Sequence, residues 1–165
     1  YPLLDEGTRF FYRGPARLYD FRKGEPPMPE GDAVKRVPPA DDTFCGGGEQ
    51  VVMADAHTAG DGLAHAAIVN DQRKLAVELA WSAEALPRLA NWLHFGPRGS
   101  YVAALEPFYG SLLDKPNDTH PTSGAKLAPG ESRNYELRLT VHSTSEAIDA
   151  LAQHDGPLEL THQRM

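Results

Sequence analysis

The chain has 165 residues, enough for one sizeable core, so a single domain or a large piece of one is expected. Its 16 Lys and Arg against 23 Asp and Glu give a formal net charge of −7, which repels phosphate backbones and argues against a nucleic-acid partner. No apolar run reaches the ~20 residues of a membrane span, the start lacks the layout of a signal peptide, and the single cysteine, Cys45, can close no internal disulfide. A soluble, cytoplasmic chain held by packing is the expectation, with no membrane contact and no thiolate metal site.

Tyr1-Pro2-Leu3-Leu4 opens apolar, without an initiator Met or a polar lead-in, as a stretch cut from a longer sequence would. Apolar residues on either side of Asp5-Glu6-Gly7 predict a strand, a tight turn and a second strand up to Tyr12. From Arg13 to Gly48 six Pro and six Gly fall in 36 residues, which predicts one long Pro/Gly-rich loop over 13–48, a rim loop or a mobile insertion. Glu49 to Ala54, Leu63 to Asn70 and Lys74 to Trp81 then read as three strands of a meander, the last two joined at Asn70-Asp71. Ser82 to Leu89 predicts a helical turn stopped by Pro87, Ala90 to His94 an extended run, and Gly96-Pro97-Arg98-Gly99 a turn.

Tyr101 to Glu106 is apolar on both faces, the pattern of a strand in the middle of a sandwich. Asn134 to His142 alternates cleanly: Tyr135, Leu137, Leu139 and Val141 point one way as a core face, Glu136, Arg138, Thr140 and His142 the other as a wet face. Ser143 and Glu146 have the spacing of a capping box, so a helix is predicted from about Thr144 to Gln153, burying Ala147, Ile148 and Leu151. Many short strands with one short C-terminal helix predict an all-β, antiparallel β-sandwich.

Glu106 is the residue whose placement asks for chemistry. Val102 and Ala104 share its face of the strand, so a carboxylate ends a row of small apolar side chains, where its burial is costly and its retention suggests a tuned base. Pro107 removes a backbone donor, so the ladder is expected to stop there and leave Glu106 at a strand end facing a cleft. Spacing alone equally allows a strand-terminal Glu that reaches solvent or pairs with an arginine.

Trp92, Gly96, Gly99-Ser100-Tyr101-Val102-Ala103-Ala104-Leu105-Glu106-Pro107, Leu127-Ala128-Pro129-Gly130-Glu131-Ser132 and the strand Tyr135 to Val141 together resemble the C-terminal signature of the aldose 1-epimerase (galactose mutarotase-like) superfamily. Leu86-Pro87 before Trp92, and Pro2-Leu3-Leu4-Asp5-Glu6-Gly7, resemble further stretches of that family, so the likeness covers the chain apart from 13–48. It implies the C-terminal part of a single mutarotase-like supersandwich, incomplete here, that takes a small-molecule sugar without cofactor or metal. It also implies Glu106 as the general base of α/β anomer exchange, in which a base removes the anomeric hydroxyl proton while an acid protonates the ring oxygen. The family's acid is a His expected a few residues before Tyr1.

Gln50 and His57 belong to a stretch, Glu49-Gln50-Val51-Val52 and onward, that resembles the family's strand preceding its sugar-contacting residues, so both are candidate sugar ligands. Trp92 is a candidate stacking platform for a sugar face, whereas Trp81 reads as core. The His57/His65 and His154/His162 pairs show no carboxylate or cysteine that completes a zinc pattern, so no metal is expected, and Gly46-Gly47-Gly48 lacks the Lys of a phosphate loop. Three functions remain in view: an aldose 1-epimerase-like isomerase, a non-catalytic carbohydrate-binding module, and an inactive fragment.

Overall fold

Short runs of alternating apolar residues, bounded by Gly, Asn and Asp, form nine strands in the computed structural model, which describes residues 3–24, 26–39, 49–96, 100–111 and 126–165. They are β1 (Arg9–Phe11), β2 (Gly14–Asp20), β3 (Gln50–Asp55), β4 (Ala64–Asn70), β5 (Leu75–Trp81), β6 (Arg88–Gly96), β7 (Ser100–Phe108), β8 (Leu137–His142) and β9 (Leu158–Arg164). One sheet has the order β1-β4-β5-β8 and the other β7-β6-β3-β2-β9. Every pairing is antiparallel except β2 with β9, which run parallel from Gly14↔Leu158 to Asp20↔Arg164. No helix among the described residues is long and apolar enough to cross a membrane.

The two sheets face each other across one core. Phe10 and Tyr12, Leu18, Val52, Ala66, Trp81, and Leu89, Leu93 and Phe95 meet there, each under a tenth exposed. Burying each large member of that set contributes roughly 1.5–3 kcal/mol, so this layer dominates the hydrophobic stabilisation. Trp81 is core as expected, its indole N–H donating to the Leu86 carbonyl at 2.9 Å. The chain crosses between the sheets within the two residues from β1 to β2. Gly14 makes that corner with φ +121, and a Cβ there would lie 2.5 Å from the His57 ring, so only glycine fits. A second layer forms behind the four-stranded sheet, where a short helix, α1 (Ser145–Ala150), and the 3₁₀ turn Leu151–His154 set Ile148 and Leu151 on Phe11, Ala67, Val69 and Ala76.

Several sequence expectations need correction. The 13–48 stretch is not loop throughout: Gly14–Asp20 is a strand lying between β3 and β9, because Ala16, Leu18 and Asp20 turn inward. Residues 40–48, with Cys45 and the glycine triplet, lie outside the described residues, as do 97–99 of the predicted turn. Among the described residues no strand precedes the Glu6-Gly7 turn, and β3 does not join β4 and β5 in a meander, since it belongs to the opposite sheet. The helix is capped by Thr144, whose hydroxyl accepts from the Ala147 N–H at 3.3 Å, and not by Ser143.

Two strands sit differently from their patterns. β7 is an edge strand, not a central one, and its ladder with β6 runs through Pro107 to Phe108↔Arg88, so Glu106 is not a strand end. An edge strand needs donors on one side only, and Pro107 sits without breaking it. On β8 the expected core face is not buried, and of the expected wet face Arg138 is exposed while its last two residues are partly covered. Leu137, Leu139 and Val141 are 47%, 63% and 59% exposed, while Thr140 and His142 are half-buried. The apolar row points to the inter-sheet side but lies beyond the edge where the described residues of the second sheet reach. On the other row, His142 is half-buried against Glu78 of β5, its Nε2 2.9 Å from Glu78 Oε2.

Candidate functional site

The five-stranded sheet has a second face, turned away from the core, and alternation decides what stands on it. Because Leu89, Leu93 and Phe95 of β6 point inward, Ala90, Trp92 and His94 point outward. By the same rule Val51 and Met53 of β3, Arg17 and Tyr19 of β2, and Val102, Ala104 and Glu106 of β7 share that outer face. The register aligns Glu106, Ala90, Met53 and Arg17 in one row across four strands, and Ala104, Trp92, Val51 and Tyr19 in the next. Tyr19, Val51, Met53 and Ala90 form a small buried cluster there, with Phe21, Trp92 and Phe108 packed around it.

Glu106 is exposed, and among the described residues no hydrogen bond or ion pair holds its carboxylate. Its cross-strand neighbour Ala90 carries only a methyl group, which leaves Glu106 open on that side, and Trp92 is its diagonal neighbour, roughly 7 Å away. Trp92 is half-buried; its indole N–H donates to Glu49 Oε2 at 2.5 Å, and its ring lies 6.4 Å from that of His94 at an interplanar angle of 10°. The ring is therefore pinned at its polar edge. Arg17 reaches over Tyr19, donating to its hydroxyl at 3.4 Å, and Arg88 lies 5.1 Å above the Phe108 ring. The face thus combines the exposed carboxylates of Glu106 and Asp55, a fixed aromatic surface, the Arg17 guanidinium and the buried guanidinium of Arg88.

Of the predicted site residues, Glu106 and Trp92 come together and the other two do not. Gln50 points to the opposite side of the sheet with Val52 and Ala54; it is 4% exposed, and its Nε2 finds no partner among the described residues. His57 lies past the end of β3, exposed and against Gly14, two strands over and so about 10 Å or more from Glu106. Sequence reasoning missed Arg17, Tyr19 and Arg88, which only strand register carries to this face. The nearest described histidine on the face is His94, two rows from Glu106 on the neighbouring strand and so ~14 Å between Cα positions. At that separation the two groups do not stand side by side on the face as a base and an acid for one sugar ring.

A family model described as "Domain of unknown function (DUF4432)" matches residues 1–141. No curated protein matches the chain. Among solved structures the fold is similar to that of a protein from Klebsiella pneumoniae subsp. pneumoniae MGH 78578, provisionally described as an aldose 1-epimerase, with a TM-score of 0.65 and 19% identity. The match covers 99% of this chain and 42% of that one, so the chain spans less than half that protein's length. At such identity the likeness shows the fold: the sandwich implied by the 92–141 signature is the one found.

Proposed function

The chain belongs to the DUF4432 family, and on its fold and the outer face of its five-stranded sheet we propose that it serves an aldose 1-epimerase-like isomerase, with that face receiving the sugar. The observation that carries this reading is the juxtaposition of the unclaimed Glu106 carboxylate with the pinned Trp92 ring across the small side chain of Ala90. The aromatic surface takes the apolar C–H face of a pyranose, while the carboxylate, an acceptor only, takes a hydroxyl. With the anomeric hydroxyl at Glu106, its proton passes to the carboxylate, the ring C–O bond breaks, and the ring oxygen takes a proton from an acid. The free carbonyl end rotates and the steps reverse to give the other anomer.

Glu106 supplies the base half of that exchange. The second reading is a carbohydrate-binding surface without turnover, which the same exposed carboxylate and pinned ring would also serve. One experiment separates the two. Relaxation of a freshly dissolved aldose anomer is followed in a polarimeter with the chain and with Glu106→Gln. Acceleration by the native chain that falls by about a hundredfold or more in the variant supports the isomerase. Equal rates remove Glu106 from the chemistry, and calorimetric binding with no acceleration selects the binding surface.

A further inference from the structure

Behind the four-stranded sheet, on the side opposite the sugar face, three histidines converge on one carboxylate. His65 of β4, Glu78 of β5 and His142 of β8 stand on the outward face in consecutive diagonal positions, since His65 pairs with Ala80 and His142 with Ala76, one row to either side of Glu78. Glu78 bridges them, with Oε1 2.7 Å from His65 Nδ1 and Oε2 2.9 Å from His142 Nε2. The 3₁₀ turn after α1 brings in His154, its ring stacked on His65 at 3.8 Å and its Nε2 3.9 Å from Glu78 Oε1. His65 and Glu78 are each 8% exposed.

We propose that His65, Glu78 and His154 form a binding site for a divalent transition-metal ion of the zinc type. One ligand atom from each of the three lies within 4.8 Å of the others. Ligand atoms around a tetrahedral ion with ~2.1 Å bonds lie about 3.4 Å apart, so side-chain rotations near 1 Å, with one stacked ring tilting, close the site. The far side of His65 is already arranged as metal-bound imidazoles are: its Nε2 sits 3.1 Å from both oxygens of Asp61, whose carboxylate fixes that nitrogen as the N–H. Nδ1 then directs its lone pair at Glu78 Oε1, and two acceptors at 2.7 Å need a proton between them, which an entering metal ion would displace as it moved the two atoms apart. On His154 the nitrogen turned toward Glu78 is Nε2, which also lies 3.2 Å from Gln153 Nε2, while Nδ1 is buried with no partner among the described residues. Two imidazoles and one carboxylate suit zinc, cobalt or nickel and not magnesium or calcium, which prefer oxygen.

Such an ion would tie the turn that leads into β9 to the middle of the opposite sheet, a staple remote from the sugar face. The test is calorimetric titration of the chelator-treated chain with zinc chloride and, separately, magnesium chloride, with Co2+ absorption spectra as a second readout. Saturable zinc binding at one ion per chain is expected, with a tetrahedral Co2+ signature, a raised Tm and no magnesium uptake. His154→Gln and Glu78→Gln should each weaken binding by at least about tenfold, while His162→Gln, on β9, leaves it unchanged. If Glu78→Gln does not fold, His154→Gln on the turn gives the same reading. Absence of saturable binding, or equal affinity in His154→Gln, overturns the proposal.

Discussion

Tyr12 and Asn91 form a polar pair inside the core layer, and removing either half should cost far more than removing both. Tyr12 is 1% exposed and Asn91 0%; the Asn91 amide donates to the Tyr12 hydroxyl at 3.2 Å, while its Oδ1 has no partner among the described residues. Burial also pushes the Tyr12 hydroxyl far above the ordinary tyrosine range, so it is neutral at any working pH. Tyr12→Phe strands the Asn91 donor, and Asn91→Leu strands the Tyr12 hydroxyl. Each exposes a buried polar group to loss of its partner, at about 1–3 kcal/mol. The double variant leaves neither, and with the Asn91 Oδ1 also gone it should lie near native stability. The coupling energy would then be roughly 1–3 kcal/mol, well above the ~0.5 kcal/mol of independent sites. Urea unfolding of the four proteins, with slopes unchanged, measures it. Additive losses would refute the reasoning. The pair bears on the proposed site because Asn91 lies between Ala90 and Trp92, and its anchoring fixes which side chains of β6 stand on the outer face.

Four further outcomes follow from particular contacts. Asp20 is fully buried; burial raises its carboxyl, but hydrogen bonds from the Arg22 side chain at 2.8 and 2.9 Å and from its backbone N–H, with the charges of Arg22 and Arg164, outweigh it and hold the group below its usual range. A lowered folded-state pKa stabilises above the unfolded value near 4 and is lost as pH falls through the folded one. Asp20→Asn should therefore flatten the acid limb of a stability curve below about pH 4 and lower stability at neutral pH; parallel curves would count against it. Gly14→Ala forces φ +121 on an L residue and a Cβ against the His57 ring, so a loss of ~1–3 kcal/mol is expected in the same urea assay. Leu139→Lys, at a site 63% exposed, should change stability by less than ~0.5 kcal/mol yet reduce self-association in sedimentation, because it breaks the apolar row on an edge strand. Trp92→Ala should weaken sugar binding by several-fold while leaving the fold intact, a difference that calorimetry and far-UV dichroism separate.

The alternation of apolar residues made β3, β4, β5 and β8 legible in the sequence, along with the β4–β5 hairpin and the helix that buries Ile148 and Leu151. β2 was hidden because Gly14-Pro15 and the prolines after Asp20 swamp the two-residue period of Ala16 and Leu18. β9 pairs in parallel with a strand more than a hundred residues earlier, a pairing that no local pattern encodes. β7 misled in the other direction: apolar residues on both faces suit a central strand, yet the outer face of this sheet carries its own cluster, so an edge strand gains the same composition. At the site, Glu106 and Trp92 could be singled out, but which face each residue occupies follows from register. Register is what separates Gln50 from them and adds Arg17 and Tyr19. The histidine cluster was illegible for the same reason. Glu78 lies 13 residues from His65 and 64 from His142, and only the β4-β5-β8 ladder brings them to one point.

The most direct measurement is a two-dimensional amide spectrum of the chain titrated with an aldose to millimolar concentration. The Trp92 indole N–H and the amides of Ala90, Ala104 and Glu106 should shift together and saturate, and the same titration of Glu106→Gln should leave the Trp92 signal in place with a weaker response. Shifts confined to the four-stranded sheet or around His57, or a spectrum indifferent to sugar, would contradict a saccharide site on the outer face of the five-stranded sheet.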